Sequence, residues 1–125
     1  MRTIKFRVRD YDSKLLIGYE VVNPRTGQWE HLRLNRTEWL IGNITDGQIA
    51  LKLQREQYTG LRDSSGRDIY EGDVVKFSEG VGKVVYDTKE ARFCIYESDD
   101  YSFILRKACE VMGDIYNSKH LLRWM

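Results

Sequence analysis

The chain has 125 residues, of which 42% are hydrophobic and 31% charged; this is enough apolar material for one core and too little chain for two independent enzymatic domains. A net charge of +1 gives no bulk attraction for nucleic acid, but the distribution is uneven: residues 1–62 carry 11 Lys and Arg against 7 Asp and Glu (+4), residues 63–125 carry 9 against 12 (−3). The opening lacks a charged segment followed by a long apolar run, and no stretch of about 18 apolar residues follows, so secretion and a membrane span are not expected and cytoplasm is the predicted compartment.

Ile4, Phe6 and Val8 alternate with Lys5, Arg7 and Arg9, the period of two expected of a strand with one buried face and a basic outer stripe. A second strand is predicted from Leu15 to Val22. The turn residues Asn23-Pro24-Arg25-Thr26-Gly27 then lead into a third, Gln28 to Leu34, making a hairpin. Asn35 and Glu38 have the spacing of a capping box, which predicts a turn of helix through Leu40. After the turn at Asp46-Gly47, alternation from Gln48 to Gln54 predicts another strand, closed off by a polar gap at Arg55-Glu56.

From Gln57 onward, short strands and turn signals follow closely. Strands are expected at Gln57–Leu61, Asp68–Tyr70, Val74–Phe77, Gly82–Tyr86, Ala91–Tyr96, Tyr101–Leu105 and Cys109–Met112, with turns at Asp63–Gly66, Gly72-Asp73, Glu79-Gly80 and Asp87–Glu90. That spacing suggests a small SH3-like barrel over residues 55–125, joined to an N-terminal strand, extended hairpin and connecting segment over residues 1–54. Asn117 is the expected cap of a final helical turn, whose Leu121 and Leu122 would cover one end of the barrel.

The run Gln57-Tyr58-Thr59-Gly60-Leu61-Arg62-Asp63, continuing through Gly66 and Ile69-Tyr70-Glu71-Gly72-Asp73-Val74-Val75, resembles the hallmark segment of YopX family proteins. The opening Ile4-Lys5-Phe6-Arg7 and the closing Val111-Met112-Gly113-Asp114-Ile115-Tyr116 are also similar to that family's ends. The resemblance implies a β-rich protein of temperate phages or prophages acting in a bacterial host cell. It implies no activity, catalytic residue or cofactor that could be carried over.

Chemistry must therefore be sought in the residues. His31, Cys94, Cys109 and His120 lack the paired short spacings of a zinc site, and the two cysteines sit in apolar strand-like surroundings that suit reduced core thiols. Asp63 to Val74 superficially follows a calcium loop, but Val74 stands where a bidentate Glu is required, so the segment reads as a turn. Glu71 with Asp73, or Glu97 with Asp99 and Asp100, could hold a divalent ion for phosphodiester chemistry, although acids in turns and edge loops more often serve solvation and edge protection. No phosphate loop or nucleophile elbow occurs, and no base is visible beside Thr59, Ser64 or Ser65.

Two surface readings remain. Lys5, Arg7 and Arg9, with Arg33 on the hairpin, are the candidate nucleic-acid contacts, set against the blander reading of cations that blunt an edge strand. Leu15, Ile17, Trp29, Leu32 and Leu34 are the candidate oligomer contacts, because an isolated two-stranded hairpin is marginal in water and must pack on its own barrel or on a neighbouring subunit. The sequence thus favours a non-enzymatic homo-oligomeric interaction protein without a cofactor. A phage or host protein is a further candidate partner, nucleic acid is the alternative, and metal-dependent catalysis is third.

Overall fold

In a computed structural model of the chain, residues 3–33, 53–98 and 101–122 are described. More than half of the described residues are in strands, and the single helical element among them is one 3-10 turn, Lys119–Leu121. The predicted capping-box helix at 35–40 and most of the predicted strand at 48–54 lie outside the described residues. The chain divides into two compact units, Met1–Gln57 and Tyr58–Met125.

In the first unit, β1 (Lys5–Asp10), β2 (Leu16–Val22) and β3 (Trp29–Arg33) form an antiparallel meander, and the start of β4 (Leu53–Arg62) lies on the other side of β1. The β2–β3 turn follows its sequence signal. Asn23 O accepts from Gly27 N at 2.8 Å, Asn23 Oδ1 accepts from Arg25 N at 2.9 Å, and Gly27 takes φ 72° without a Cβ penalty. The expected polar gap at Arg55-Glu56 does not break β4, because Arg55 and Glu56 pair in register with Val8 and Arg7 and their charges are met by side chains across the sheet. The boundary drawn at 54/55 thus falls inside a strand.

In the second unit, the end of β4 pairs with β5 (Asp68–Tyr70). A separate antiparallel sheet runs in the order β10-β6-β7-β8-β9, from β6 (Asp73–Phe77), β7 (Gly80–Asp87), β8 (Arg92–Tyr96), β9 (Ser102–Ile104) and β10 (Glu110–Asp114). Its core is Ile69, Val75, Val84, Ile95, Leu105 and Cys109, with Leu61, Phe77, Phe93 and Val111 packed around them. No closed SH3-like barrel is found among the described residues. Among the described residues β9 and β10 are opposite edges of an open sheet, and the chain between them runs through Arg106-Lys107-Ala108 without laddering. Leu122 is buried as expected, but Ser118, not Asn117, precedes the final turn and makes no side-chain capping bond to it; Asn117 donates its side-chain amide to Asp114.

Candidate functional site

The predicted basic stripe on β1 is turned into the protein at two of its three positions. Arg7 and Arg9 are buried, and each brings Nε to the same oxygen of Glu56, at 2.8 and 2.6 Å; Arg9 Nη1 also donates to Lys14 O at 3.0 Å. On the opposite face of β1, Val8 is buried against Ile17 and Leu53. The centre of β1 is therefore covered on both sides, which corrects the expectation of a half-buried strand with a solvated basic face. Burying two guanidiniums is costly unless an anion meets them, and Glu56 supplies it from the adjacent strand; removing one partner of such a cluster typically costs about 3–5 kcal/mol.

Arg7 and Arg9 consequently present no solvated guanidinium on this strand. Lys5 is half-buried with its ammonium 5.6 Å from the Tyr19 ring centroid, and Arg33 ends β3 with its side chain outside the described residues. Glu56 had no sequence signal, since its partners lie 47 and 49 residues away and only strand register brings them together.

The predicted oligomer contacts divide similarly. Ile17 belongs to the first unit's core and is not available at the surface, because the β-bulge between Val8 and Arg9 shifts the β1–β2 register beside it. Leu15 is exposed in the β1–β2 turn, and Trp29 is 50% exposed at the start of β3. The side chain of Leu32 and all of Leu34 lie outside the described residues. Register adds neighbours that the sequence reading did not name. Val22 lies opposite Trp29 and donates its N–H to Ile4 O at 3.0 Å, so Ile4, Val22 and Trp29 form one row across three strands. Phe6, next on that face, holds its ring 5.9 Å from the Trp29 ring, while Ile4 remains 45% exposed.

Two acids of the hallmark segment, Asp63 at the head of the calcium-like loop and Asp73, are occupied with the backbone, while Asp99 and Asp100 lie outside the described residues. Asp63 Oδ1 accepts N–H from Ser65 and Arg67 at 2.9 and 2.8 Å, and Oδ2 accepts from Val111 at 2.9 Å, fastening its turn to β10. Burial pushes the Asp63 carboxyl up, but these three donors outweigh burial and hold it below the usual range. Asp73, also buried, accepts from Tyr70 N at 2.8 Å. Thr59 Oγ1 donates to Ile69 O, and Ser64 Oγ donates to Cys109 O. Cys94 and Cys109 are buried free thiols, each pushed up by burial. Among the described residues, no three His, Cys, Asp or Glu side chains are grouped to hold a metal ion, and no helix is long and apolar enough to cross a membrane.

These features define a two-unit antiparallel β protein whose hallmark polar residues fasten turns to strands. The family model described as YopX protein matches residues 5–123, and the chain belongs to that family. No curated protein matches the chain. Among solved structures it is similar to protein EF1440 from Enterococcus faecalis, with 19% identity over 96% of this chain and 98% of that one and a TM-score of 0.53, a likeness of fold.

Proposed function

We propose that this protein is a non-catalytic, homo-oligomeric interaction module of phage or prophage origin, working in the cytoplasm of the bacterial host, and that its N-terminal sheet provides a contact between copies. The observation that carries the reading is the row Ile4–Val22–Trp29, exposed at Ile4 and Trp29 and backed by Phe6, in a chain whose Thr59 hydroxyl and Asp63 carboxylate serve the fold. Large aromatic and aliphatic side chains left in water at a sheet face favour a protein partner. The charges on this face are compatible with self-association: Arg55 is paired with Glu20 at 2.6 Å, so the two are already balanced within one copy.

Sedimentation equilibrium provides the test. The expected result is a discrete mass above the 14.8 kDa of the chain, lowered by Trp29→Ala combined with Ile4→Ser. A single species at 14.8 kDa, or an assembly indifferent to both changes, overturns this contact.

A further inference from the structure

A different surface, in the second unit, carries an inference beyond that reading: the free edge of β9. Its pairing with β8 sets Ile95 opposite Phe103, and the flanking bonds Leu105 N to Phe93 O and Glu97 N to Tyr101 O show which residues face β8. In an antiparallel ladder the hydrogen-bonded pairs alternate, so Phe93/Leu105, Ile95/Phe103 and Glu97/Tyr101 are the bonded ones. Ser102 and Ile104 therefore direct N–H and C=O away from β8, and among the described residues no strand lies on that side. The strand also carries exposed apolar mass, with Tyr101 at 68% and Ile104 at 44%.

The sequence around this edge is complementary to itself when reversed. Asp99-Asp100 precede it and Arg106-Lys107 follow it, equally distant from Phe103, with Tyr101-Ser102 on one side and Ile104-Leu105 on the other. We propose that β9 pairs antiparallel with β9 of a second copy about a two-fold axis at Phe103, joining two five-stranded sheets into one. In that register Ser102 and Ile104 of one copy exchange four backbone hydrogen bonds with Ile104 and Ser102 of the other. The two Phe103 residues fall directly opposite as a non-bonded pair, where side chains approach most closely.

Phe103 stacks edge-on against Phe77, with centroids 5.2 Å apart, beside a cleft of about 510 Å³ whose lining includes Ile95, Ile104 and Arg106. Arg106 makes no ion pair among the described residues, and Arg106 and Lys107 are both exposed. By sequence, Asp99-Asp100, outside the described residues, stand as far before Phe103 as Arg106-Lys107 stand after it, so the antiparallel register matches opposite charges, whereas a parallel pairing would match like ones. The contact uses backbone groups and alternate side chains as strand addition does, with the second copy as the added strand.

Ser102→Pro tests the backbone part. The lost N–H points away from β8, so proline is tolerated in the folded unit, as on other sheet edges, but blocks the outer ladder. Self-association should weaken at least about tenfold in a sedimentation dilution series, and the Ser102 and Ile104 amides, slow to exchange in the wild-type assembly, should exchange fast on its dilution. Charge provides the second arm, independent of any effect of proline on folding. Arg106→Glu with Lys107→Glu should dissociate the pair, and adding Asp99→Lys with Asp100→Lys should restore it, because reversing both ends recreates the complementarity. Failure of the N-terminal contact is read separately: it leaves a dimer of wild-type chains that Ser102→Pro converts to monomer. An assembly unchanged by Ser102→Pro, or charge-reversed variants that associate like wild type, overturns the proposal.

Discussion

Asp63 illustrates how a residue that looks like a ligand serves as a structural staple. One carboxylate closes its own turn through Ser65 and Arg67 and reaches β10 through Val111, a contact across 48 residues. Asp63→Asn replaces an acceptor with an amide donor, so at least one of these N–H groups faces a donor, and the loss should be about 1–3 kcal/mol in urea unfolding at neutral pH. The pH dependence has a definite sign. Because the folded carboxyl lies below its unfolded value of about 3.9, its stabilisation is complete above that value and is lost as pH falls through the folded one. Urea midpoints measured from pH 7 to pH 2 should therefore fall less steeply at acid pH for Asp63→Asn than for wild type, and parallel profiles would exclude this role. The turn itself was legible from Asp63-Ser64-Ser65-Gly66; its long-range partner was not, since a carboxylate that binds backbone amides leaves no mark on the residues it binds.

Strands and turns were the most legible level. Period-two alternation located β1, and Pro, Gly and Asn located the β2–β3 turn, because those signals act within a few residues. β4 was misread as interrupted at Arg55-Glu56, since local polarity resembles a loop until the opposing charges of neighbouring strands are known. β7 shows a second kind of long-range demand. A Cβ at Gly82 would stand 2.6 Å from Ile95 Cγ2 and 2.7 Å from Tyr96 O on β8, and the backbone oxygen cannot yield as a flexible side chain would. Gly82→Ala should therefore cost about 1–3 kcal/mol, read as a lower urea midpoint with an unchanged slope. A variant as stable as wild type would show that β7 and β8 separate more easily than their ladder implies.

At the scale of the whole molecule, the described parts of the two units differ in how many buried residues they pack together. Among the described residues the first has Val8 and Ile17 buried together, whereas the second packs six buried residues from β5, β6, β7, β8 and the segment from Leu105 to Cys109. Amide exchange should accordingly be slowest at Val75, Val84 and Ile95 and faster throughout β1; equal protection in both units would contradict this difference in core. Composition and alternation by themselves determined a β-rich antiparallel chain with its turns in place, and the hallmark segment placed it near its family, because those properties are written in neighbouring residues. Only the tertiary structure decided that β9 and β10 are opposite sheet edges among the described residues, that Arg7 and Arg9 point inward at Glu56, and that Ile4, Val22 and Trp29 share a row. Each depends on which strand lies beside which and in what register, and residues tens of positions apart set that register together.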